Sequence, residues 1–116
     1  MTLPPPLSRV TCAGPAIYIS GQLGRGGDGQ IVQGGFAPQA RQAMENLKAA
    51  IESAGCELSD VVKTTVWLTD ATLGGEFNVI YREYFLEPFP ARSMVVSGLI
   101  AADAMIEIEA IAHRRA

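Results

Sequence analysis

The chain has 116 residues, 48% of them hydrophobic and 18% charged, which fits one domain over residues 1–116 with a core of its own, still small enough for pairing with other copies to matter. No apolar run approaches the roughly 20 residues of a membrane helix, and a formal net charge of −3 opposes the clustered-cation binding that phosphate backbones reward, so neither a membrane nor a nucleic acid is an expected partner. Cys12 and Cys56 lack metal-ligand spacing and His113 is the only histidine, which argues against a structural zinc site and leaves a reduced cysteine pair as the expectation.

Met1-Thr2-Leu3-Pro4-Pro5-Pro6 has neither the basic segment nor the apolar core of a secretory signal, so a cytoplasmic protein is expected. Ala16-Ile17-Tyr18-Ile19-Ser20, apolar and aromatic, reads as a strand that ends at Gly21. Gly24-Arg25-Gly26-Gly27-Asp28-Gly29 matches the letters of the G-x-G-x-x-G dinucleotide fingerprint. It is read as a turn, because Gln30 to Gly35 continues a loop or hairpin where the fingerprint requires a helix N-terminus for pyrophosphate.

From Ala37 onward Ala40, Ala43, Met44, Leu47, Ala50, Ile51 and Ala54 recur at three- and four-residue steps, the pattern of an amphipathic helix, with Pro38 in its first turn and Gly55 at its stop. Val61 to Thr69 is β-branched and reads as a strand, with Trp67 expected in the core. Phe77, Ile80, Tyr81, Tyr84 and Phe85 form one face of a second helix ended by Pro88 and Pro90, and Asn78 departs from that face. Two closing strands, Arg92 to Gly98 and Met105 to His113, are read as a hairpin turning near Ala102-Asp103. The order ββαβαββ predicts an α+β fold: a mixed sheet with two helices packed on one face. In the last strand Ile106, Ile108, Ala110 and Ala112 alternate with Met105, Glu107, Glu109 and Ile111, so neither side is cleanly wet, and the face without helices is expected to pack against other copies of the chain.

Arg92 and the glutamates of the last strand stand out in this apolar sheet. A guanidinium is always charged and presents a planar fork that matches a carboxylate, while a strand glutamate can activate water; together they suggest a small anionic substrate. The plainer alternative is an ion pair between Arg92 and Glu107 or Glu109. Hairpin register places Arg92 opposite about Ala110 or Ile111, several residues from Glu107. The two groups then either hold separate ends of a cleft or meet across an interface between chains. A Ser-His-Asp hydrolase is disfavoured, since Ser20 has no histidine near it in sequence.

At these residues the chain resembles the RidA (YjgF/Rid) enamine/imine deaminases: Pro90-Ala91-Arg92-Ser93 followed by Ile106-Glu107-Ile108-Glu109-Ala110, with Ser20-Gly21-Gln22, Gln39-Ala40-Arg41-Gln42, Asn46-Leu47-Lys48, Lys63-Thr64-Thr65-Val66 and Asn78 with Tyr81 and Phe85 in family order. The resemblance implies a chorismate-mutase-like fold and a homotrimer with clefts between subunits. It also implies hydrolysis of 2-enamine/2-imine intermediates to 2-keto acids and ammonia without metal or organic cofactor. It assigns Arg92 to the substrate carboxylate, Glu107 to water, Ser20, Gly21 and Asn78 to the pocket wall, and the backbone around Met94 to the imine nitrogen. Two departures bear on substrate choice: Leu3 to Ser8 supplies no counterpart of the family's Gly-Pro-Tyr tyrosine, and Met94 stands where a cysteine is common. The connection through Leu86-Glu87-Pro88-Phe89 is short, which lets Phe89 fill space that the tyrosine would take. A deaminase of a ring-cleavage product such as 2-aminomuconate, or a non-catalytic keto-acid binder, are the alternatives. Chorismate mutase and ribonuclease activity fit the motifs and the charge less well.

Overall fold

The computed structural model describes residues 3–115; the N-terminal reading against a secretory signal rests partly on Met1 and Thr2, which lie outside the described residues. The elements are β1 (Val10–Ala13), β2 (Ala16–Gln22), α1 (Phe36–Ser53), β3 (Val61–Leu68), α2 (Gly74–Tyr81), β4 (Ala91–Val96) and β5 (Ile106–His113), with short 3-10 turns at Leu58–Asp60 and Ala71–Leu73. The succession of element types is the one expected, but the opening strand Val10–Ala13 lies ahead of Ala16, where the sequence predicts none, and the stretch after Gly29 forms only an isolated bridge. The strand that partners β2 lies ahead of it, across a tight turn in which Gly14 takes the left-handed conformation that other residues avoid. The glycine-rich stretch is a small hairpin loop, bridged at Arg25 and Ile31 and closed by Gly26 N–H donating to the Gln30 carbonyl 2.8 Å away. No helix begins there, so the fingerprint letters carry no phosphate site.

The five strands lie in the order β1-β2-β5-β3-β4, with β3 and β4 parallel and the other pairs antiparallel. This corrects the closing hairpin. The α2 crossover returns β4 parallel to β3 on its outer side, while β5 enters on the inner side, so β3 stands between them. The level of the register was nevertheless right: Thr64 pairs with Arg92 on one flank and Ala110 on the other.

Both helices cover one face. Ala40, Ala43, Met44, Leu47, Ala50 and Ile51 of α1 and Phe77, Ile80 and Tyr81 of α2 bury against Ile17, Ile19, Val66, Leu68, Ile106, Ile108 and Ala110 of the sheet. The small side chains of α1 let the helix lie close on the strands. α2 is shorter than its periodicity suggests: the helix ends at Tyr81, and Tyr84 and Phe85 follow in a turn in which Phe85 N–H donates to the Tyr81 carbonyl. Strand alternation turns Tyr18, Thr65, Trp67, Ser93, Val95, Glu107, Glu109 and Ile111 to the opposite, helix-free face. Trp67, expected in the core, is half-buried there, because its neighbours Val66 and Leu68 take the helix side. Tyr18 and Val95 are exposed on that same face. Cys12 and Cys56 are both free thiols, the first exposed and the second buried.

Candidate active site

Arg92 stands on β4, the edge strand of the sheet, on the face that α2 covers. Its guanidinium carbon lies 4.8 Å from the centroid of the Tyr81 ring, within the range of a cation–π contact. Tyr81 is itself anchored: its hydroxyl meets the Thr64 hydroxyl at 2.8 Å in a fully buried pair, and its ring packs between Phe77 and Phe85. Burial pushes the Tyr81 phenol up from its ordinary value, with the Thr64 hydrogen bond and the Arg92 charge pulling the other way, so the ring stays a neutral platform. The result is an exposed guanidinium fork held from beneath. Among the described residues the ion pairs are Arg41 with Glu83 and Arg115 with Asp60; Arg92 has none. The pairing with Glu107 or Glu109 that the sequence left open does not form within the chain.

Asn78, Tyr81, Arg82, Phe89, Pro90 and Arg92 line a cavity of about 350 Å³, at the lower end of the range for small-molecule clefts. Asn78 and Arg82 are one helical turn apart, and Arg82 N–H donates to the Asn78 carbonyl. The short connection after α2 brings Phe89 to the opposite wall, its ring 5.7 Å from the Arg82 guanidinium. Because β4 pairs only with β3 among the described residues, one row of its backbone N–H and C=O groups has no partner strand among them. Met94 shares the face of Arg92 two residues on, its terminal methyl against Gly74, where an added Cβ would sit 3.3 Å away.

Glu107 is elsewhere. It lies on the helix-free face of β5, paired in register with Trp67, and two strands from Arg92. Burial first, and the Glu109 charge second, push its carboxyl pKa up. Its side chain lies across Gly21, where β2 shifts register against β5 between Ile19 and Gln22. A Cβ on Gly21 would come 2.8 Å from Glu107 Cδ and overlap Oε2, so only glycine leaves room for the carboxylate in this pose. Ser20 beside it donates its hydroxyl proton to the Ser8 carbonyl at 2.6 Å, which commits the donor and leaves the oxygen as an acceptor.

The six residues singled out from the sequence thus fall into two groups. Arg92, Asn78 and Met94 lie on the helix-covered side of the sheet edge, and Glu107, Gly21 and Ser20 lie toward the other face. Tyr81, Arg82 and Phe89 complete the first group. Tyr81 had been read as packing alone; the signal for its second role was its place one helical turn after Asn78.

A model of the family described as Endoribonuclease L-PSP matches residues 4–114. The chain is 42% identical over 108 residues to the human 2-iminobutanoate/2-iminopropanoate deaminase, covering 92% of this chain and 79% of that protein. Its structure superposes on RidA from the Antarctic bacterium Psychrobacter sp. with a TM-score of 0.89 at 37% identity, covering 97% of this chain and 91% of that one. The YjgF gene product of E. coli gives a TM-score of 0.87 at 40% identity, covering 96% and 90%.

Proposed function

The chain belongs to the RidA (YjgF) family, and from that premise we propose that it hydrolyses 2-imino acids, formed from 2-enamines, to 2-keto acids and ammonia, at clefts between the subunits of a homotrimer. One observation carries the reading: the Arg92 fork is uncommitted over Tyr81 in a cavity, whereas the group suited to handle water, Glu107, points from the other face of the same sheet. A site that uses both is completed by a second copy. The helix-free face, with Tyr18, Trp67 and Val95 unburied by the chain itself, supplies the apolar surface for such packing.

Arg92 receives the substrate carboxylate through two parallel hydrogen bonds, which fixes the imine carbon in place. The imine is already electrophilic, so the site needs a positioned water rather than a strong nucleophile. Glu107 takes a proton as water adds to C2, forming a C–O bond and moving the C=N electron pair to nitrogen. Glu107 returns that proton to the nitrogen, giving the carbinolamine; it then takes the proton of the new hydroxyl and passes it to the amine, so that the O–H electron pair forms the C2 carbonyl as the C–N bond breaks and ammonia leaves. A carboxyl whose pKa burial and Glu109 raise is better suited to both steps than an unperturbed one, since it binds the proton more readily when water gives it up. Asn78, the oxygen of Ser20 and the free backbone edge near Met94 orient the nitrogen and the side chain, and Gly21 makes room for Glu107.

The test is keto-acid and ammonia release from 2-iminobutanoate or 2-iminopropanoate generated in the cuvette. Arg92→Ala should lower kcat/KM by at least about 100-fold, the loss of a charge-assisted fork, with the trimer intact by light scattering. Equal rates for wild type and variant would refute the reading. Keto-acid binding without turnover would make the protein a carboxylate binder, and RNA cleavage lost on changing Arg92 would replace the deaminase by the activity in the family's description.

A further inference from the structure

Resting on the deaminase reading, we propose that the cavity selects substrates with a second carboxylate: Arg92 holds the C1 carboxylate and Arg82 the distal one, making dicarboxylic 2-imino acids the preferred class. The six residues around the cavity include two guanidiniums and no acidic side chain. Each guanidinium is seated by an aromatic ring, Arg92 by Tyr81 at 4.8 Å and Arg82 by Phe89 at 5.7 Å, and neither forms an ion pair among the described residues. The nearest acidic neighbour in sequence, Glu83, is drawn away by a two-pronged contact with Arg41 at 2.8 and 3.0 Å. Two exposed positive charges on one cavity, in a protein of net charge −3, make this the place where an anion is attracted. A monocarboxylate neutralises one of the two, whereas a dicarboxylate offers a carboxylate to each guanidinium of the shared cavity. Arg82 stands at the C-terminus of α2, one turn beyond Asn78, so its backbone is anchored while its side chain reaches the cavity.

The experiment is titration calorimetry of the full-length protein with two stable product-class probes, 2-oxobutanoate and 2-oxoglutarate, in low and high salt, alongside turnover of the corresponding imines. Wild type should bind the dicarboxylate about tenfold tighter, the margin shrinking with salt. Arg82→Gln should reduce that ratio to about one, and Arg82→Lys should retain part of it. A ratio near one in wild type, or an unchanged ratio in Arg82→Gln, overturns the proposal even if imines are turned over. A tenfold ratio lost in Arg82→Gln without turnover of either imine would support the two-arginine cavity and overturn the deaminase reading instead. Failure to bind either keto acid overturns the proposal outright.

Discussion

Replacing Gly21 by alanine puts a methyl group where the Glu107 carboxylate lies. The added Cβ would be 2.8 Å from Cδ and 3.1 Å from Cγ and would overlap Oε2, so the carboxylate must retreat by on the order of an ångström to restore ordinary contact. Gly21 does not have a positive φ, so the backbone accepts alanine. Turning Glu107 off its rotamer costs about 0.5–1.5 kcal/mol, and the gain of about 0.4–1 kcal/mol from a less flexible unfolded chain offsets much of it. Stability should therefore stay within about 1 kcal/mol of wild type, a few degrees in Tm. Activity should not. An ångström of misplacement costs about 100-fold in rate, or about 2.7 kcal/mol of barrier. The assay is kcat for imine hydrolysis with urea unfolding in parallel, and Glu107→Gln serves as the reference. The double variant should be no slower than Glu107→Gln alone, because both changes remove one function. Wild-type turnover in a folded Gly21→Ala, or fully additive losses in the double variant, would refute the reasoning.

Arg92→Lys keeps the charge but loses the fork and its seat on Tyr81, so KM for the imine should rise about tenfold or more, measured against Arg92→Ala. Thr64→Val leaves the buried Tyr81 hydroxyl without its 2.8 Å partner and should destabilise the fold by about 1–3 kcal/mol by urea denaturation at fixed protein concentration. The Glu107 carboxyl holds its proton more tightly in the folded chain than in the unfolded one, because of burial and then Glu109. Its contribution therefore favours the fold at low pH and is lost as pH rises through the shifted value. Glu107→Gln should raise the urea midpoint at pH 7 to 8 and lose that advantage toward pH 4. The same shift should move the acid limb of kcat/KM upward from that of an unperturbed carboxyl, and the residual activity of Glu107→Gln should lack that limb.

Periodicity located α1 and β5 well, because the faces of Ala40 to Ile51 and of Ile106 to Ala112 are uniformly apolar and each packs in one direction. It overran α2, since Phe85 keeps its burial in a turn after the helix has ended. The hairpin between β4 and β5 was the largest error. A strand–turn–strand pattern reads alike whether its strands touch or flank a third, and only pairing with the distant β3 decides. That error mattered for the site, because it put Arg92 and Glu107 on neighbouring strands, whereas strand order and parity assign them to opposite faces. Trp67 differs from expectation for a related reason: residue type favours burial but does not say which face of the strand the helices cover. Arg92, Asn78 and Glu107 stand out by residue type and motif, and the first two line one cavity, while Arg82 and Phe89 join that cavity only through the fold of the Tyr81–Pro90 connection.

Mixing Arg92→Ala and Glu107→Gln chains tests the shared site most directly. Each variant alone should retain no more than about a hundredth of wild-type activity. Denatured together in equal amounts and refolded, they should form mixed trimers in which a site draws an intact Arg92 from one chain and an intact Glu107 from the next, restoring about a quarter of wild-type activity. A mixture as inactive as its components would place both residues of each site in a single chain and contradict the account.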